Sequence, residues 1–232
     1  MNIEKIIEEA YNLYMPQVKS EITDFATFFY KHRALALFVD SGIKYNVLEI
    51  GTKYGGTFYI WNELNKNSGV NISVDMSDGG IHGGIPDEYM DDRDVWFYER
   101  YPNCHFIRGD SHSDSTKQRV FDILNSGNPS EIELLDFLFI DGDHSYEGVK
   151  QDFEMYSELV REGGLIVFHD INDTERHRER NVYVAKFWKE LSKKTNDFHF
   201  IEFNAHDDWA GIGVAIKRKK WKTEQPQEDA GE

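Results

Sequence analysis

Five side chains in two short stretches are of the types and spacing that do chemistry: Asp141, Asp143 and His144 in FLFIDGDHSYEGV, and His169 and Asp170 in GGLIVFHDI. Each stretch is an apolar run that ends in polar residues, as a buried strand does where it leaves a sheet. If the two strands are neighbours, these groups converge on one crevice. Acidic groups crowded in a cleft are costly unless protonated or neutralised by a cation. An oxygen-rich set suits a hard divalent ion such as magnesium, which keeps waters or substrate oxygens in its shell. Taken singly, Asp141 would end a strand, Asp143 would cap the next helix and His169 would pack in the sheet. As a set they point to a site.

A second constellation lies upstream. VLEIGTKYGGTFYIW sets Glu49 in an apolar run, follows it with a glycine-rich turn (Gly51, Gly55, Gly56) and leads into an aromatic helix. Such a strand, turn and helix form a cradle, with Gly51 letting a ligand approach the main chain and the later glycines letting the helix pack on the strand. The next apolar run ends in Asp75, about 24 residues beyond Gly51, where an acidic side chain commonly accepts hydrogen bonds from ribose hydroxyls. The turn is not GxGxxG, which argues against a nicotinamide or flavin dinucleotide. After a third run, RGDSHSD puts Asp110 and Ser111 at the same edge, either to recognise a purine or to cap the helix that follows.

These groups need a parallel sheet to hold them. Short apolar runs at 46–50, 70–75, 104–110, 135–141 and 163–170 alternate with longer helical segments, the pattern of a sheet covered on both faces with ligands beyond the carboxyl ends of its strands. FHFIEF and GIGVAIK read as an antiparallel pair at the sheet edge, and the stripe Phe187, Trp188 and Leu191 as a helix face packed on the sheet. Residues 1–44 read as an N-terminal helical cap, 45–218 as one domain and 219–232 as a disordered tail. Residues 76–102 read as a long binding loop. Its Trp96, Phe97, Tyr98 and Tyr101 either wall a substrate or pack a local helix on the core, and His82 faces either substrate or water.

With 232 residues and 40% hydrophobic content, one compact domain is expected. Lys and Arg number 26 against 42 Asp and Glu, a net charge of -16, which argues against a nucleic-acid partner. The lone Cys104 excludes an internal disulfide and fits the cytoplasm. No apolar run is long enough to span a membrane, and no signal peptide is expected.

LEIGTKYGGT, FIDGDHSYEGV and GGLIVFHDI together resemble class I S-adenosylmethionine-dependent methyltransferases over about residues 45–216. The resemblance is greatest to the metal-dependent O-methyltransferase branch that includes macrocin-type sugar O-methyltransferases and cephalosporin hydroxylase-like proteins. It implies an α/β, Rossmann-like, doubly wound seven-stranded sheet, mostly parallel with an antiparallel last strand, plus N-terminal helices. It also implies S-adenosylmethionine over Glu49, Gly51, Thr52, Tyr54 and Gly55, with Asp75 on the ribose and Asp110, Ser111 and Asp141 completing the cofactor site. A divalent metal, magnesium, is implied on Asp141, His169 and Asp170, with His144 as general base. The fifth-strand pair of that branch is acid-acid or acid-amide, so His169 is a departure, and Asp143 or Asn172 is an alternative third ligand.

The expected reaction is methyl transfer to a hydroxyl of a small molecule. On the acceptor side stand His82, Asp143, Tyr146, Arg176 and Arg178. The arginines of INDTERHRERN suit a carboxylate- or phosphate-bearing acceptor such as a sugar or nucleotide-linked sugar, or else pair with surface acids. A metal-dependent hydrolase using the same cluster and a non-catalytic cofactor-binding protein are the competing readings. A homo-oligomer is left open.

Overall fold

The computed structural model describes residues 2–14, 32–36, 45–65, 69–77, 84–126, 132–203 and 210–219. Strands β1 (Val47–Ile50), β2 (Asn71–Asp75), β3 (Cys104–Arg108), β4 (Leu135–Ile140), β5 (Val160–His169), β6 (Phe198–Phe203) and β7 (Ile212–Lys217) form one sheet in the order β3-β2-β1-β4-β5-β7-β6. β1 to β5 run parallel, and β7 is antiparallel to both β5 and β6. The order reverses between β1 and β4, so a crevice opens beyond their carboxyl ends, where open α/β sheets bind ligands. The expected strands and the antiparallel edge pair are all present.

Alternate side chains of each strand feed two separate cores. On one face, α1 (Ile3–Tyr14), α2 (Gly56–Leu64) and α3 (Asp87–Tyr98) bury Ile7, Phe58, Trp61 and Phe97 against Val47, Phe139 and Val167. On the other, α4 (Asp114–Leu124), α5 (Tyr146–Tyr156) and α7 (Val184–Leu191) bury Val120, Phe153, Phe187 and Trp188 against Leu48, Leu138 and Phe168. A fully buried Leu or Phe contributes about 1.5–3 kcal/mol, so each face is a substantial source of stability. Trp188 lies so close over Gly213 that a Cβ there would sit 2.8 Å from the indole, which explains a glycine within β7 and accounts for the expected α7 stripe.

The segment 76–102 is not a long loop. Its described part is dominated by α3, and Phe97 and Tyr101 are buried in the core beside Phe58, while Tyr98 is exposed. Phe97 and Tyr101 thus take the helix-packing alternative. His82 and residues 220–232 lie outside the described residues, as does most of the N-terminal cap between 15 and 44. Among the described residues no helix is long and apolar enough to cross a membrane. Cys104 is buried, and burial pushes its thiol well above the ordinary value, which leaves it a small hydrophobe.

Candidate functional site

The ends of β4 and β5 bring the acidic cluster together. Their register pairs Ile140 with Phe168, so Asp141 and His169 leave the sheet side by side. His144 Nε2 lies 3.1 Å from Asp141 Oδ1 and 3.4 Å from Asp170 Oδ2. His169 Nδ1 lies 3.3 Å from Asp141 Oδ1 and 3.0 Å from Asp170 Oδ1. Asp141, His144 and Asp170 each offer a ligand atom within 4.8 Å of the others. Asp170 adopts φ 62, a left-handed conformation that costs a non-glycine residue about 1–3 kcal/mol, and such strain collects at functional sites.

The electrostatics follow from this crowding. Burial opposes ionisation of both Asp141 and Asp170, yet His169 and His144 hold the Asp141 carboxyl below the usual range, and His169, His144 and His177 do the same for Asp170. Burial likewise opposes a charge on His144, but Asp141 and Asp170 raise it above the ordinary imidazole value. Asp170 Oδ1 is buried between the His169 and His177 rings. Two ionised carboxylates and an imidazole, their ligand atoms within 4.8 Å of one another, fit a hard divalent cation.

Two further histidines join this cluster: His177 of INDTERHRERN, which follows β5, and His32, which the sequence reading did not place. His177, on the short helix α6 (Glu175–Glu179), is buried, with Nδ1 2.6 Å from the Asn172 carbonyl and Nε2 3.6 Å from Asp170 Oδ1. His32, in the helical residues 32–36, brings its ring centroid to 6.1 Å from that of His169. His177 arrives locally, through the short helix that follows β5, and His32 through tertiary packing.

The glycine turn is built differently from the expectation. Gly51 has φ 87, and a Cβ there would sit 2.1 Å from the Asp141 carbonyl oxygen, so glycine lets the end of β4 approach the turn. Glu49 is fully buried, accepting from Thr57 Oγ1 at 3.0 Å and Trp61 Nε1 at 2.6 Å, and burial raises its carboxyl well above the usual range. As placed, it bolts α2 to β1 and presents no atom to a ligand. Thr52 is also buried, accepting from Ser73 Oγ at 2.7 Å, whereas Tyr54 is half-buried with its neighbour Lys53 exposed. Gly55 lets Phe97 approach to within contact of α2.

At the end of β2, Asp75 Oδ2 accepts from the Lys53 amide at 2.7 Å and from Arg93 Nη1 at 2.9 Å. Arg93, nearly fully buried, also donates to the Lys53 carbonyl and, at 2.9 Å, to Asp94, and so ties the turn, β2 and α3 together. Asp110 is exposed, with Oδ1 accepting the His112 amide at 2.9 Å. The Ser111 carbonyl accepts from Tyr156 at 2.7 Å.

The acceptor-side candidates are dispersed. Asp143 Oδ1 accepts the Ser145 amide at 2.8 Å and its carboxylate lies over Gly148, so it shapes the start of α5. Tyr146 donates to Glu190 of α7 at 2.6 Å, away from the acidic cluster. Arg178 is exposed and pairs with Asp173 at 2.5 Å, the surface-acid alternative, and Arg176 is exposed on α6.

Comparison with known proteins sets this geometry in context. A family model described as a methyltransferase domain matches residues 48–171, from β1 through the end of β5. An uncharacterized protein of Acanthamoeba polyphaga mimivirus is 32% identical over 126 residues, 54% of this chain and 51% of the relative, so the chain aligns with about half of that relative's length. Among solved structures, an O-methyltransferase from Bacillus cereus in complex with SAH is similar with a TM-score of 0.58 and 18% identity, over 93% of this chain and 90% of that one. The MycE methyltransferase of the mycinamycin biosynthetic pathway, in complex with Mg, SAH and mycinamycin VI, has a TM-score of 0.56 and 15% identity, over 98% of this chain and 57% of that one. At these identities the structural likeness is one of fold.

Proposed function

The chain belongs to the methyltransferase-domain family, and from that premise we propose that it transfers a methyl group from S-adenosylmethionine to a hydroxyl of a small molecule, with magnesium held at the acidic cluster. The acceptor proposed is a sugar or a nucleotide-linked sugar, in a cytoplasmic setting. The observation that carries the reading is the convergence of Asp141, His144 and Asp170 at the ends of two adjacent strands, beside the point where strand order reverses. Further support comes from two solved structures that share this fold, one in complex with SAH and the other with Mg and SAH.

In this reading Asp141 and Asp170 hold the cation, and His169, against both carboxylates, is a further ligand or fixes their orientation. Bound there, a divalent ion lowers the pKa of an acceptor hydroxyl and compensates the two carboxylates. His144 Nε2 then takes the hydroxyl proton, a task suited to an imidazole. His177 steadies Asp170 from behind, and the Tyr183 amide donates to the His144 carbonyl at 2.7 Å, holding the base in place. The chain's contribution is geometry and a shielded cleft, the sulfonium supplying the reactive methyl group.

The reading is tested by incubating labelled S-adenosylmethionine with a panel of sugars and nucleotide sugars, with magnesium or with a chelator. Labelled O-methyl product that disappears with the chelator is expected. Product formed equally well without metal would overturn the role of the cluster.

A further inference from the structure

Asp152 is a fully buried carboxylate that the proposed chemistry does not use. It projects from α5, is 0% exposed, and neither oxygen accepts a hydrogen bond among the described residues. A carboxylate buried this way is costly unless a positive group compensates it. The group facing it is the imidazole of His112, in the turn after β3, with Nε2 3.3 Å from Asp152 Oδ1 and 3.2 Å from the Gly148 carbonyl. Nδ1 faces Asp110 Oδ1 at 3.9 Å. Both ring nitrogens thus look toward acceptors, an environment that favours the doubly protonated ring.

The pair sits beneath two turns at the carboxyl edge of the sheet. A Cβ on Gly142, next to Asp141, would lie 3.5 Å from Asp152 Oδ2, so Asp152 also underlies the turn after β4. The His112 turn carries Asp110 and Ser111, the residues expected either to meet a purine or to cap the next helix, whose N-cap position is taken by Ser113. It is fastened to α5 by the ion pair, by the Gly148 carbonyl and by the Tyr156 hydroxyl on the Ser111 carbonyl. The Asp110 side chain is in turn held by the His112 amide.

We propose that the His112–Asp152 ion pair is a positioning device that holds the Asp110–Ser111 turn in place for the purine of an adenosyl ligand, and that adenosyl binding is therefore strongest with His112 protonated. The inference rests on the cofactor reading above. The Asp152 carboxylate raises the His112 imidazole above its ordinary value against the opposing effect of burial, and Asp110 adds to it. Tyr156, the other titratable group of α5 at this turn, is pushed up by burial and stays neutral.

The test is calorimetric titration of S-adenosylhomocysteine and of adenosine into wild type, Asp152→Asn and His112→Gln between about pH 6 and about pH 9. Wild-type affinity for both ligands is expected to fall as pH rises through the His112 titration. Both variants should bind about tenfold more weakly at the acid end, a difference of roughly 1.4 kcal/mol, with that pH dependence lost. His112→Gln lies in a surface turn and serves if Asp152→Asn does not fold, and unfolding midpoints separate lost positioning from lost structure. A folded variant with wild-type affinity and pH profile would overturn the proposal. A wild type that binds neither ligand would overturn the cofactor reading beneath it as well.

Discussion

His144 has carboxylates on two sides, Asp141 and Asp170, and accepts a substrate proton only once those charges are otherwise compensated. Replacing it with alanine should lower kcat by about 100-fold to 10,000-fold, the usual contribution of a general base, while calorimetric affinity for S-adenosylhomocysteine is kept. A variant with full turnover would remove it from the proton path. Glu49 yields a prediction of another kind. Burial raises its carboxyl well above the ordinary value, so above about pH 4.3 the native state retains a proton that the unfolded chain has released. Its contribution to stability therefore declines as pH rises from the ordinary glutamate range toward the native value. Glu49→Gln, whose amide can still face Thr57 and Trp61, should flatten the decline in Tm between about pH 5 and about pH 8. An unchanged slope would contradict the assignment. Asp141, His144, His169 and Asp170 were legible because strand ends display them in contiguous motifs. Asp152 and His32 were not, since each reaches its partner through packing between elements distant in the chain, and no local spacing encodes that.

The turn after β1, the end of β2 and α3 meet at Arg93, and the placement of the glycine turn depends on that junction. Arg93 bonds the Lys53 carbonyl, Asp75 and Asp94 with little exposure, so Arg93→Ala leaves the largely buried Asp75 carboxylate without its cation, while Asp94 keeps Arg108 at 2.8 Å. A loss of about 3 to 5 kcal/mol in denaturant unfolding is expected. A loss under about 1 kcal/mol would show that the junction is solvated and unimportant to the fold. The strands were readable because runs such as LLDFLFI and GGLIVF are apolar on both faces, as a parallel sheet covered by helices requires. α3 was readable only as one of two alternatives, because Asp and Glu interrupt its apolar residues and they fall on no single face; Phe97 meeting Phe58 and the bonds of Arg93 hold it on the core. The glycines were located correctly, but the close neighbour of Gly51 is the Asp141 carbonyl, a contact between two strand ends that neither segment reveals alone.

Across the whole molecule, a single sheet with a separate core on each face delivers Gly51, Asp75, Asp110, Asp141 and Asp170 to one edge. Sequence alternation was enough to infer that edge, because every parallel strand must end there. What it could not reach is the detail of side-chain direction: Tyr146, Asp143 and Arg178 lie near the motifs in sequence, yet each satisfies a structural partner. The central claim is that this edge binds an adenosyl methyl donor beside a metal-holding cluster. It is tested most directly by titrating S-adenosylmethionine and S-adenosylhomocysteine into metal-free protein by calorimetry, then repeating the titrations with magnesium. Binding of both ligands in the micromolar range, together with a separate magnesium heat that Asp141→Asn abolishes, is the predicted result. Absence of binding by either ligand, with and without magnesium, would contradict the account.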